Sequence, residues 1–205
     1  KGMAISYNKK NRIFKLDTES TSYLIGISPE GYVGHVYYGE RLKGDDAYYL
    51  LRTQESPYTP SKNEREKLSF LDRFPMEYSS GGIGDFRESC INIPNAAGCM
   101  ASEFFYKSYK ITKGKAKLEG LPASFADKED VTTLTVKCVD PVLEIELFLS
   151  YSVFEKVDII TRSVKVINKG EENIRLEKIY SACLDMDNEN FELLTLCGAW
   201  ARERH

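Results

Sequence analysis

From Leu143 onward the chain reads Leu-Glu-Ile-Glu-Leu-Phe-Leu-Ser-Tyr-Ser-Val, and this alternation constrains the fold more than any other stretch. Leu143, Ile145, Leu147, Leu149, Tyr151 and Val153 share one face, while Glu144, Glu146, Ser150 and Ser152 share the other. Successive side chains of a strand point to opposite sides, so a period of two marks a half-buried β-strand. Glu155-Lys156 interrupts the pattern, and Val157 to Ile167 resumes it as a β-branched strand. Asn168-Lys169-Gly170 supplies a turn whose glycine can take the positive φ of a bulged hairpin. From Ile174 to Met186 alternation returns, with Ile174, Leu176, Tyr180, Ala182 and Leu184 on one face. The expectation is a three-strand meander at the centre of an antiparallel sheet.

Upstream, Ile5–Tyr7, Ile13–Leu16, Tyr23–Ile27 and Val33–Tyr38 read as short strands punctuated by Asn8, Asn11, Pro29-Glu30-Gly31 and Gly39. Residues 40–86 differ, since Gly44-Asp45-Asp46, Ser56-Pro57-Tyr58-Thr59-Pro60 and Ser79-Ser80-Gly81-Gly82 leave room for at most one short helix, around Leu68 to Phe74. A long irregular segment in a globular domain covers, binds or reaches toward something else. Strand pattern resumes over Phe86–Ile93, Glu103–Ile111 and Val131–Val139, with a glycine- and proline-fixed loop near Gly114, Gly120 and Pro122. Ten or so strands with short turns predict an all-β antiparallel sandwich.

The charge balance, 28 basic against 31 acidic residues in 205, gives no electrostatic reason to expect nucleic acid or an anionic membrane as partner. No apolar run approaches the roughly 18 residues of a membrane helix. Lys1-Gly2 reads as two vector residues ahead of a native Met3, without the apolar core of a signal peptide. Cys90, Cys99, Cys138, Cys183 and Cys197 are odd in number and contain no CxxC pair, which speaks against a disulfide framework and a zinc site. Reduced thiols in a cytoplasm are expected, with no metal and no cofactor. The two histidines are too few for metal triads or most His-assisted nucleophiles, and His35 reads as an ordinary strand residue.

Three segments taken together resemble the amino-terminal domain of glycoside hydrolase family 36 α-galactosidases: Glu77-Tyr78 followed by Gly84-Asp85-Phe86-Arg87, then Lys117-Leu118-Glu119-Gly120-Leu121-Pro122-Ala123, then Gly198-Ala199-Trp200-Ala201-Arg202-Glu203-Arg204-His205. Asp158-Ile-Ile-Thr-Arg-Ser-Val and Asn168-Lys-Gly-Glu-Glu also fit. The resemblance covers Met3 to His205. It implies a β-supersandwich over residues 1–205, with 198–205 beginning the connection to an absent catalytic (β/α)₈ barrel. It further implies a parent enzyme that removes terminal α-linked galactose, with retention, from oligosaccharides such as raffinose or melibiose. Retaining hydrolysis uses two carboxyls about 5 Å apart, and the resemblance puts both in the barrel, so no catalytic residue is expected here.

The resemblance places Trp200, the single tryptophan, at the edge of the active-site pocket against substrate. An indole packs on the flat C–H face of a sugar, and Gly198 and Ala199 leave its ring faces open. Arg65 lies in the long segment that in tetrameric relatives reaches a neighbouring subunit's site, which makes it a second substrate-binding candidate and a homo-oligomer an expectation. The resemblance implies an aspartate in a Leu-Asp-Arg context that helps bind galactose in those relatives; here the corresponding letters are Leu50-Leu51-Arg52-Thr53, so a departure from the family is expected at that position. Asp185 and Asp187 project to one side as a possible carboxylate pair or a solvated strand end. Asp85 reads as a loop lock with Arg87 as partner. The alternative to the accessory domain is a free-standing carbohydrate-binding or scaffold sandwich; a sugar mutarotase lacks the histidines it needs.

Overall fold

The computed structural model describes residues 4–51, 53, 70–82, 84–184, 190–192 and 194–202. Among them are ten strands, β1 (Ile5–Asn8), β2 (Ile13–Asp17), β3 (Thr21–Ile27), β4 (Val33–Glu40), β5 (Ile91–Asn92), β6 (Phe105–Lys113), β7 (Val131–Asp140), β8 (Ile145–Phe154), β9 (Ile159–Asn168) and β10 (Lys178–Ile179), and one 3₁₀ turn, Tyr48–Leu50. They form two four-stranded antiparallel meanders, β1-β2-β3-β4 and β6-β7-β8-β9, with a small β5–β10 ribbon beside them.

The alternation of β8 is realised in full: Ile145, Leu147, Leu149, Tyr151 and Val153 are all buried. The register aligns them with neighbours of the same character, so Cys138, Leu147 and Val166 form one row across β7, β8 and β9, and Val136, Leu149 and Val164 the next. This face packs on Phe14, Leu16, Tyr23, Ile25 and Ile27 of the first meander. Removing one such side chain from water contributes about 1.5–3 kcal/mol. Stacked rings (Tyr7 on Phe14, centroids 4.3 Å apart, with Tyr109 at 5.0 Å from Phe14) close one end of the sandwich.

The first meander is buried on its other face as well. Ile13, Leu24 and Val36 lie under Ala47, Leu51, Phe70, Leu71, Phe74 and Met76. The described part of the irregular segment therefore does cover something, namely the outside of the first sheet. Gly26 and Gly34 pair directly across β3 and β4 and leave a notch there. A Cβ on Gly34 would sit 2.7 Å from both Leu51 Cδ2 and Phe74 Cζ.

Several expectations need correction. Ile174–Met186 does not return as a long third strand: within its described residues only Lys178–Ile179 pairs, with Ile91–Asn92 on the far ribbon, and β8 sits at the sheet centre by pairing with β7 and β9. Gly170 does not take the left-handed backbone, because no hairpin closes there. The expected strand Phe86–Ile93 shrinks to Ile91–Asn92. Phe70–Phe74 closes a single helical turn, Phe74 N–H to Phe70 O at 2.9 Å, rather than a helix; residues 68 and 69 lie outside the described residues.

The notch gives a direct test. Gly34→Ala pushes a methyl against the buried ring of Phe74, and overpacking of this kind costs about 1–3 kcal/mol. Urea unfolding of the variant is expected to show that loss; unchanged stability would mean that Leu51 and Phe74 do not fill the notch.

Candidate functional site

Residues 75–77 run antiparallel beside β4, with His35 N–H donating to Pro75 O at 2.6 Å and Glu77 N–H to Val33 O at 3.0 Å. This pairing turns Met76 into the outer cluster and carries Glu77 into the interior, where it is completely buried. A buried carboxylate is costly unless charge and donors meet it. Here Arg162 Nη2 lies 2.7 Å from Oε1, Tyr151 Oη donates to Oε1 at 2.7 Å, and Tyr23 Oη bridges both oxygens at 2.9 Å. His35 Nδ1 stands 3.6 Å from Oε2.

Arg162 is shared further, donating from Nη1 to Cys183 O at 3.2 Å and lying 5.0 Å above the Tyr151 ring. Burial, and then the charge of Glu77, holds the Tyr23 and Tyr151 phenols far above the usual tyrosine range. Burial is the largest single influence on the Arg162 guanidinium and works against its charge, yet Glu77, Tyr151, Tyr23 and Cys183 together outweigh it and the net direction is up. Tyr23 is on β3, Tyr151 on β8 and Arg162 on β9, so one carboxylate bonds both sheets. With no solvent-exposed surface on Glu77, the cluster is a clamp and not a reaction centre.

One part of this clamp has a sequence signal. Arg162 falls on the inward face of a strand otherwise lined by Ile160, Val164 and Val166, and a charge in that row demands a buried partner. Glu77 carries no such signal, since it lies outside any strand pattern. Tyr23 and Tyr151 read as ordinary core aromatics.

A second clamp joins the turns at one end. Asp158, between β8 and β9, accepts from Thr18 Oγ1 at 2.6 Å, Ser20 N at 2.8 Å and Ser20 Oγ at 2.6 Å. These donors, the Ser20 hydroxyl first, hold its carboxyl at about 2.

The sequence candidates separate cleanly. Asp85 accepts from Ser79 Oγ at 2.7 Å, Arg87 Nε at 2.8 Å and Arg87 N at 3.3 Å, a locked loop as expected. His35 is a strand residue of β4, though one that faces Glu77. Leu51, at the position where relatives were expected to show the galactose-binding aspartate, is a core residue against the glycine notch. Arg65, Asp185 and Asp187 lie outside the described residues. Among the described residues no group of three or more His, Cys, Asp or Glu is arranged to hold a metal ion, and no helix is long and apolar enough to cross a membrane.

Trp200 is 95% exposed. Ala199 and Arg202 exchange two backbone hydrogen bonds, 3.1 and 2.8 Å, and the turn they close, with Ala201 at φ 61°, displays the indole. Phe191, Leu194 and Leu196 just before it are also exposed. Cys197, Gly198, Ala199 and Arg202 line a shallow open concavity at its foot.

The sequence model described as the glycosyl hydrolase family 36 N-terminal domain matches residues 31–205. The chain belongs to that family. The bifunctional α-galactosidase/sucrose kinase AgaSK of Mediterraneibacter gnavus is 38% identical over 207 residues, a match that covers 99% of this chain and 22% of the relative. The crystal structure of the α-galactosidase from Lactobacillus brevis superposes with a TM-score of 0.86 at 36% identity, over 98% of this chain and 27% of that one. A variant of α-galactosidase AgaA from Geobacillus stearothermophilus, crystallised with raffinose, gives 0.83 at 30% identity, over 94% and 27%. This family 36 chain thus spans about a quarter of the length of the relatives it matches.

The clamps predict how stability depends on pH. The phenols of Tyr23 and Tyr151 stay protonated in the fold but titrate near 10 when unfolded, so their contribution is complete below about pH 10 and is lost as pH rises beyond it, by up to about 1.4 kcal/mol per pH unit for each. Asp158 has the opposite sign: its contribution is present above about pH 4 and lost as pH falls toward 2. Urea midpoints across the pH range are expected to fall on both flanks. Tyr151→Phe should flatten the alkaline flank; an unchanged flank would contradict burial of that phenol beside Glu77.

Proposed function

We propose that this chain is the amino-terminal accessory domain of an α-galactosidase that hydrolyses terminal α-linked galactose, with retention, from oligosaccharides such as raffinose or melibiose. Its partners are the catalytic barrel of its own polypeptide, the galactoside, and further copies of the same subunit in a cytoplasmic homo-oligomer. The observation that carries this reading is the exposure of Phe191, Leu194, Leu196 and Trp200, the last an indole held out on a backbone-closed turn. A barrel docked against Phe191, Leu194 and Leu196 would leave Trp200 at the pocket mouth, where a sugar can stack on it. Membership in a family whose named relatives are α-galactosidases about four times as long favours this over a free-standing sugar-binding module.

The domain by itself contributes shape and an aromatic wall, not the two carboxylates of the reaction. Glu77 is the carboxylate most deeply set among the described residues, and it is sealed by tyrosines and arginine. The isolated chain is therefore expected to be inactive on aryl α-galactosides and to bind galactose weakly, since one stacking surface cannot offset the several kcal/mol of freedom lost on association.

In the parent enzyme, Trp200→Ala should raise KM and leave kcat less affected, because stacking is made in both the ground and the transition state. A loss of roughly 1–2 kcal/mol corresponds to about a tenfold fall in kcat/KM. Steady-state kinetics and thermal unfolding on one preparation check it; an unchanged KM with a lowered Tm would make Trp200 a junction residue and remove the substrate contact.

A further inference from the structure

Cys90 and Cys183 are 93 positions apart, yet both belong to the same core cluster, Cys90 within it and Cys183 partly buried against it. The small ribbon brings them together. Ile179 pairs with Ile91, and Tyr180 N–H donates to Cys90 O at 2.8 Å, which sets the 178–184 segment directly beside Cys90. Tyr78 Oη fastens the same place by donating to Tyr180 O at 2.6 Å and to Cys90 O at 3.2 Å. The two thiols meet side chain to side chain in a hydrogen bond. All five cysteines are reduced.

We propose that Cys90 and Cys183 are a peroxide-responsive dithiol that closes to a disulfide and staples the 178–184 segment to β5. The roles of the two sulfurs differ. Cys90 is 2% exposed, and the hydrogen bond to Cys183, followed by burial, keeps its thiol protonated. Cys183 is half-buried and therefore the more accessible of the two, and Arg162 Nη1 donates to its backbone carbonyl at 3.2 Å. The thiolate is the reactive form of a cysteine, and an oxidant meets the less buried thiol first.

The chemistry balances with a hydroperoxide as oxidant. The Cys183 thiolate attacks one peroxide oxygen, the O–O bond breaks, and the second oxygen leaves as hydroxide, giving a sulfenic acid. The Cys90 sulfur then attacks the Cys183 sulfur; the S–S bond forms, the S–O bond breaks, and the departing hydroxide takes the Cys90 proton as water. Two thiols lose two electrons in total, and the peroxide is reduced to water. A hydrogen-bonded thiol pair must close to the roughly 2 Å of a disulfide, and residues 181–184 belong to no strand that would resist the shift.

The remaining cysteines supply internal comparisons. Cys99 and Cys197 are exposed on irregular segments, whereas Cys138 is buried and its thiol is pushed up to about 12 by burial. The inference is independent of any galactosidase activity, because it is read from covalent mass alone.

The native protein carrying this chain is treated with hydrogen peroxide without denaturant, alkylated, and digested without reduction. The expected result is a peptide linked through Cys90 and Cys183 that disappears with dithiothreitol, while Cys138 stays alkylatable after unfolding. In Cys90→Ser the link should be lost and Cys183 should accumulate as a sulfenic acid that dimedone captures. Oxidation confined to Cys99 and Cys197, or a Cys183 that is oxidised yet never linked to Cys90 in the native protein, would overturn the proposal.

Discussion

The buried carboxylate of Glu77 is the interaction on which the rest of the sandwich depends. It enters from a segment paired to β4, and its bonds come from β3, β8 and β9. A hydrophobic face alone can slide, since Val against Leu in one register resembles Val against Leu in the next. A charge with directional donors cannot. The energetic role of such a pair lies less in net stability than in what happens when one side is removed: an uncompensated buried charge costs about 3–5 kcal/mol. Glu77 thereby selects one placement of the two sheets.

Other contacts repeat this logic nearer the rims. Asp158 gathers the β2–β3 turn to the β8–β9 turn through Thr18 and Ser20. At the opposite end Asp140 accepts from the backbone of Glu103 at 2.9 Å, and Glu103 in turn accepts from Tyr32 Oη at 2.8 Å. The outer cover of Leu51, Phe70 and Phe74 then seals the first sheet, which is why its strands are apolar on both faces. Among the described residues, Phe191, Leu194, Leu196 and Trp200 are left exposed near one another in sequence. Arg162 also donates to the carbonyl of Cys183, which ties the segment after β10 to the core clamp.

Much of the fold is legible in the letters because period-two patterns report burial on one face. Strands β1 to β4, β7 and β8 appear where Ile, Val, Leu and Tyr alternate or cluster. The same signal misleads within the described residues of Ile174–Met186, where Ile174 packs against the core but Leu176, Tyr180 and Leu184 are exposed and only Lys178–Ile179 pairs, and at Phe86–Ile93, where Phe86 is exposed. Periodicity reports that a strand has one apolar face, and it is silent on whether the fold supplies that face with a cover or the backbone with a partner. The site is legible in a different measure. Trp200 and the Asp85–Arg87 lock stand out by residue type and neighbours, and family resemblance gives Trp200 a meaning. The Glu77 centre is nearly invisible, for its members are distant in sequence and only Arg162 breaks a pattern.

The account rests on coupling between Glu77 and Arg162, and a double-mutant cycle measures it most directly. Glu77→Gln, Arg162→Met and the double variant are unfolded in urea at neutral pH. Each single change should cost about 3–5 kcal/mol, and the double should cost clearly less than their sum, with an interaction energy of about 1–3 kcal/mol. Additive losses, or single variants as stable as the parent, would contradict the claim that this buried pair holds the two sheets in register.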